Sequence, residues 1–168
     1  MAFKSRAQSV YADDRYRTSM SASPRAETDS TPVPRSLPHL KVLIIDDDDV
    51  ARELLSSTLK QAGHEVVELA SAIGATRAIF EHDVDAVVVD VMLPDISGDK
   101  LARVLRQNGR GQNLGIVLVS SRPVEELEML AVGAQADGVV SKANIRSGLG
   151  AAVTRAVLRR ARSAAGMK

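Results

Sequence analysis

The chain has 168 residues, 45% hydrophobic but only 2% aromatic, which suits one domain with an aliphatic core and tails. It has no cysteine, excluding disulfides, thiolate metal sites and Cys nucleophiles. No apolar run approaches the ~18–20 residues of a membrane span, and no apolar stretch follows Lys4 and Arg6 as a signal peptide would require, so a cytoplasmic protein without a membrane partner is expected. The net charge of +1 is unevenly spread: residues 1–39 hold six Lys/Arg against four Asp/Glu (net +2), residues 40–150 eleven against seventeen (net −6), and residues 151–168 five against none (net +5).

Residues 1–38 are rich in Ser, Thr, Pro, Arg and Asp and lack apolar periodicity. Such a segment buries too little surface to offset its ordering entropy, so a disordered tail is expected there. Strand and helix patterns then alternate. Leu40 to Ile45 reads as a strand. Asp49 is placed to cap a helix over Val50 to Gln61, with Val50, Leu54 and Thr58 on one face and Gly63 as its stop. Glu65 to Leu69 is a second strand, and Ser71 opens a helix to about Glu81. Asp85 to Val89 is a third strand, its consecutive valines suited to burial on both faces. A helix over Gly98 to Gln107 turns Leu101, Val104 and Leu105 inward. A polar loop, Asn108 to Asn113, leads to a strand over Gly115 to Val119. Pro123 starts a helix to about Ala134, where a missing N–H costs nothing. Gly138 to Ser141 is a fifth strand. Asn144 caps a last helix to about Arg162, with Ile145, Leu149 and Val153 spaced by four.

Five βα units imply right-handed crossovers and helices on both faces of a parallel sheet. The predicted fold is α/β: a flavodoxin-like three-layer sandwich with strand order 2-1-3-4-5. The predicted organisation is a tail over residues 1–38, a domain over 39–162 and a short C-terminal tail over 163–168.

Asp46-Asp47, Asp90, Ser120 and Lys142 each follow a predicted strand, and the carboxyl ends of parallel strands share one edge, where ligands bind. Carboxylates about 4 Å apart repel by roughly 4 kcal/mol per pair at an effective dielectric near 20. Three together therefore call for a cation. Oxygen ligands without His or Cys nearby point to Mg²⁺ or Mn²⁺. Asp90 fits a nucleophile that attacks phosphorus and becomes an acyl phosphate. Lys142 suits a phosphoryl oxygen as a point charge, and Ser120 as a hydrogen-bond donor. Each residue also has a plainer reading: Asp46 to Asp49 as a solvated run with a helix cap, Asp90 as a turn former, Lys142 as a surface cation. His39, His64 and His82 are isolated and lack metal-ligand spacing; His82 sits near a helix C-terminus, where it suits the dipole. A phosphatase of the haloacid dehalogenase type needs a second Asp two residues after its nucleophile, and Met92 stands there instead.

The segment Asp90-Val91-Met92-Leu93-Pro94-Asp95-Ile96-Ser97-Gly98 resembles the phosphorylation loop of bacterial response-regulator receiver domains. Val42 to Asp47 resembles their first strand and acidic pair, Val117 to Ser121 their fourth strand, and Ala136 to Lys142 their fifth strand and lysine. The spacings also fit, with 43 residues from Asp47 to Asp90, 30 to Ser120 and 22 more to Lys142. The resemblance implies a phosphoacceptor at Asp90, with Mg²⁺ held by Asp47, Asp90 and the Met92 carbonyl and by Asp46 partly through water. It implies Ser120 and Lys142 on the phosphoryl oxygens. It makes a sensor histidine kinase the donor, or a His-containing phosphotransfer protein the relay partner, and the protein a signalling phosphoacceptor rather than an enzyme.

Two departures from the family pattern bear on output. Val139 stands where the family usually has Tyr or Phe, and Ala143 follows the lysine where Pro with a cis peptide is common. Met92 and Arg122 occupy positions that tune hydrolysis in the family, and their bulk implies a phosphoryl lifetime of minutes or longer. Only 26 residues follow Lys142, so a stand-alone receiver without an output domain is expected, acting on an unknown downstream protein. The alternative is an interaction module that works unphosphorylated. Arg155, Arg159, Arg160, Arg162 and Lys168 read as a solvated helix end; no aromatic stands there for base stacking, and nucleic acid is not expected as a partner. A docking role for the tail would be tested by deleting residues 1–38.

Overall fold

A computed structural model of the chain describes residues 38–166. Ten main elements alternate: β1 (Lys41–Ile45), α1 (Asp49–Gln61), β2 (Glu65–Leu69), α2 (Ala75–Glu81), β3 (Ala86–Asp90), α3 (Gly98–Gln107), β4 (Gly115–Ser120), α4 (Val124–Ala134), β5 (Gly138–Ser141) and α5 (Ile145–Ala165). Short 3₁₀ turns cover Gly109–Gln112 and Lys142–Asn144. All strand pairs are parallel, in the order β2-β1-β3-β4-β5, so the predicted flavodoxin-like architecture is the observed one.

Alternation along the strands divides the core in two. Val42, Ile44, Val88, Val117 and Val119 face α1 and α5, meeting Leu55, Leu59, Ile145, Leu149 and Val153. Leu43, Ile45, Val87, Val89, Ile116 and Leu118 face the other helices, meeting Ile79, Leu101, Leu105 and Leu127. Each fully buried Leu, Ile or Val contributes about 1.5–3 kcal/mol relative to exposure. With aliphatic packing on both faces the sheet is a rigid platform, and residues at its carboxyl edge inherit that rigidity.

Several local expectations change. Val50 is 79% exposed, and Leu55, Ser56 and Leu59 line the buried face of α1 instead of Val50 and Thr58. The sheet and α5 set the phase of this helix. Asp48, not Asp49, caps it, its carboxylate accepting the Ala51 N–H at 2.9 Å. That bond holds the Asp48 carboxyl below its ordinary range. Helix α2 starts at Ala75 rather than after Ser71, whose hydroxyl instead takes the Ile73 N–H at 3.0 Å. Gly74, at φ +87°, makes the turn into α2 with a backbone conformation other residues avoid. On α3, Val104 is exposed, and Ala102 and Arg106 are buried beside Leu101 and Leu105. Helix α5 continues to Ala165, past the predicted end at Arg162, because Ser163, Ala164 and Ala165 do not break a helix. The predicted N-terminal tail, apart from Pro38, lies outside the described residues, as do Met167 and Lys168. No described peptide bond is cis, including the one between Lys142 and Ala143. Among the described residues no helix is long and apolar enough to cross a membrane.

Candidate functional site

The acids sit where the strands stop. Asp46 follows β1 and is fully buried; Asp90 ends β3, 3% exposed; Asp47 is exposed. The ladder runs one step past the strand ends, with Asp46 N–H donating to the Leu69 carbonyl (3.2 Å) and Val91 N–H to the Val119 carbonyl (3.0 Å). Gly98 opens α3 against this edge, its N–H bonded to the Val91 carbonyl at 3.0 Å. A Cβ at Gly98 would lie 2.2 Å from the Asp90 carbonyl oxygen, so only glycine allows α3 to begin this close to the loop.

Asp46, Asp47 and Asp90 each offer a carboxylate oxygen within 4.8 Å of the other two. Lys142 opens the 3₁₀ turn after β5 and reaches back between two of them. Its Nζ donates to Asp90 Oδ2 at 2.9 Å and pairs with Asp46 Oδ2, also at 2.9 Å. The other oxygens accept backbone N–H groups, Asp46 Oδ1 from Asp48 (3.0 Å) and Asp90 Oδ1 from Met92 (3.2 Å). Burial pushes the Asp46 carboxyl up, and the charge of Asp90 adds to this; the Lys142 ammonium and the Asp48 N–H pull it partly back. Burial pulls the Lys142 ammonium down, but its bonds to Asp46 and Asp90 outweigh that and hold it above its ordinary value.

Three carboxylates against one ammonium leave the cluster short of positive charge. An all-oxygen, anionic set of this kind fits a hard divalent cation.

Beside the acids opens a cleft of about 330 Å³ lined by Asp90, Met92, Ser120, Ser121, Arg122 and Lys142. Ser120, the last residue of β4, is fully buried; its Oγ accepts the Arg122 N–H at 3.2 Å, so its own O–H remains able to donate. Across the cleft, Arg122 Nη2 donates to Met92 Sδ at 3.4 Å, joining the β3–α3 and β4–α4 loops. Val139 on β5 is partly buried against the core.

The structure thus brings Asp46, Asp47, Asp90, Met92, Ser120 and Lys142 to one edge. Sequence reasoning missed Arg52, whose Nη1 donates to the Asp46 carbonyl at 2.7 Å and steadies the turn carrying the acids. Its place one turn into α1, on the side facing the acids, was the available signal. It also missed a buried network at the opposite end of the sheet. There Asp137 binds Arg106 (2.7 Å), Arg160 (2.6 Å) and the Ile116 N–H (2.9 Å). Arg160, read as a solvated cation, is therefore a structural ion-pair partner.

The sequence model of the response regulator receiver domain matches residues 42–154, and the chain belongs to that family. The phosphate regulon transcriptional regulatory protein PhoB of Pseudomonas aeruginosa is 30% identical over 101 residues, covering 60% of this chain and 44% of its own length. The transcriptional regulatory protein AfsQ1 of Streptomyces coelicolor is 35% identical over 119 residues, covering 71% and 51%. The chain spans about half the length of these curated relatives. The crystal structure of a sensor protein from Polaromonas sp. JS666 superposes with a TM-score of 0.67 at 30% identity, over 73% of this chain and 99% of that one. The fold, the acidic cluster and the family together define a phosphoacceptor module of two-component signalling.

Proposed function

We propose that Asp90 accepts a phosphoryl group from a sensor histidine kinase or a His-containing phosphotransfer protein, and that the phosphorylated domain signals by changing a protein-binding face. The observation that carries this reading is the Lys142 ammonium held 2.9 Å from both Asp46 and Asp90 at the lip of an open cleft. A carboxylate oxygen of Asp90 attacks phosphorus, the P–N bond to the donor imidazole breaks, and the leaving nitrogen takes a proton from solvent. Lys142 exchanges part of its contact with Asp90 for a phosphoryl oxygen, and Ser120 donates its O–H to another. Asp46, Asp47, Asp90 and the Met92 carbonyl are the groups that would hold Mg²⁺, or Mn²⁺. Such an ion supplies positive charge against the incoming phosphoryl group and the clustered acids.

Met92 and Arg122 over the cleft support slow hydrolysis, with a phosphoryl lifetime of minutes or longer. In this reading the phosphorylated receiver acts through its own surface on a downstream protein, without catalysis on another substrate. Val139 in place of an aromatic ring leaves movement of Ser120 and its loop to transmit the change.

The test is intact mass after incubation with acetyl phosphate and Mg²⁺, for wild type and Asp90→Asn, followed by transfer from phosphorylated kinase. One phosphoryl adduct on wild type alone supports the reading. No adduct from either donor sinks it and favours a module that signals by binding unphosphorylated.

A further inference from the structure

We propose that Met92 is a reversible oxidation site through which peroxide-class oxidants lengthen the life of the phosphorylated state; the second half of this inference rests on Asp90 being the phosphoacceptor. The chain has no cysteine, so thioethers are its easily oxidised sulfur. Among the described residues these belong to Met92 and Met129, both open to solvent at 57% and 69% exposed. Of these two, only Met92 has its sulfur engaged by another described residue, as acceptor of the Arg122 Nη2 hydrogen at 3.4 Å. It also lines the cleft with Asp90, Ser120 and Lys142, and its N–H holds Asp90 Oδ1.

The chemistry is a two-electron oxygen transfer. The sulfur lone pair attacks the distal peroxide oxygen, the O–O bond breaks, sulfur is oxidised to the sulfoxide, and hydrogen peroxide is reduced to water. The product replaces a weak sulfur acceptor with a strongly dipolar S–O oxygen facing a guanidinium. A hydrogen bond from a charged donor to oxygen is stronger than one to sulfur. The Met92–Arg122 contact already joins the two loops that flank the cleft, so strengthening it holds them together and hinders the water that hydrolyses the acyl phosphate. Sulfoxide reduction by methionine sulfoxide reductase restores the thioether, which makes the change reversible.

The experiment uses the full chain treated with hydrogen peroxide, then Mg²⁺ and acetyl phosphate. Peptide mass reads sulfoxide at Met92 and Met129 separately, and intact mass follows decay of the adduct. Wild type and Met129→Leu should decay about fivefold more slowly after oxidation, the rate equivalent of ~1 kcal/mol, the typical net worth of one hydrogen bond. Met92→Leu and Arg122→Ala should not respond, and the reductase should reverse the effect in wild type. Amide hydrogen exchange over residues 91–97 and 121–123 reads the tightening without phosphate and should slow on oxidation. An equal response in Met92→Leu, no sulfoxide at Met92 when Met129 is oxidised, or unchanged exchange in the two loops overturns the proposal. Absence of any adduct on untreated protein counts against the phosphoacceptor reading, while the peptide mass and exchange measurements still decide the oxidation site and its effect on the loops.

Discussion

Lys142→Gln isolates the electrostatics of the site from its chemistry. In wild type one ammonium stands 2.9 Å from carboxylate oxygens of two buried acids. Each contact is worth about 5–6 kcal/mol of gross Coulomb attraction at an effective dielectric near 20. Desolvation takes back most of it, and removing one partner of a buried pair costs about 3–5 kcal/mol. Lys142 keeps 21% of its side chain exposed, so the lower part of that range applies. The variant should therefore lose about 3–4 kcal/mol in urea unfolding with EDTA present. Millimolar Mg²⁺ should return part of the loss, since a ligand at ten times its Kd adds about 1.4 kcal/mol.

The pH dependence separates this from loss of packing. The folded-state value of Lys142 is raised, so its contribution is complete below about 10.5 and is lost as the pH climbs through the folded value. The Asp46 carboxyl is raised too, so ionised Asp46 opposes folding once the pH passes its unfolded value near 3.9. Without Lys142 that opposition grows. The variant should then gain stability relative to wild type as the pH falls toward 4, and wild type alone should lose stability above about 10.5. A loss under about 0.5 kcal/mol in EDTA, or a difference from wild type independent of pH, would refute the reasoning.

Three further outcomes are expected. Asp90→Asn should change stability in EDTA by less than about 1 kcal/mol, because losing the Lys142 pair is offset by relief of repulsion with Asp46; a larger loss on urea unfolding counts against a crowded cluster. Gly98→Ala should destabilise by about 1–3 kcal/mol and weaken Mg²⁺ binding by calorimetry, since its Cβ would meet the Asp90 carbonyl at 2.2 Å; unchanged affinity would mean the loop adjusts freely. The His64 imidazole is buried and held below its ordinary value, chiefly by burial, with Nδ1 accepting the Leu40 N–H. Its neutral form is the one that folds, so stability should fall as the pH drops below about 6.5, and His64→Leu should flatten that part of the unfolding profile.

The order of strands and helices was legible in the sequence because parallel strands buried on both faces are short apolar runs, and caps and glycines punctuate them. The candidate site was legible for a related reason. Asp46, Asp90, Ser120 and Lys142 all lie at strand ends, and a parallel sheet of this order brings its strand ends together without further information. Helix phase was not legible. Val50 and Leu55 are both apolar, and only the surface offered by β1 and α5 decided that Leu55 goes inside. Which of four consecutive aspartates caps α1 depended on the backbone angle at Asp48. The bridge from Lys142 to Asp46 and Asp90, the Met92–Arg122 contact and the Asp137 clamp on Arg106 and Arg160 join side chains that lie 23 to 96 residues apart. Hydrophobic periodicity is a local property that sequence carries within a few turns. Ion pairs and hydrogen bonds of this kind follow from where long flexible side chains meet after the sheet has closed, and that is a property of the tertiary structure alone.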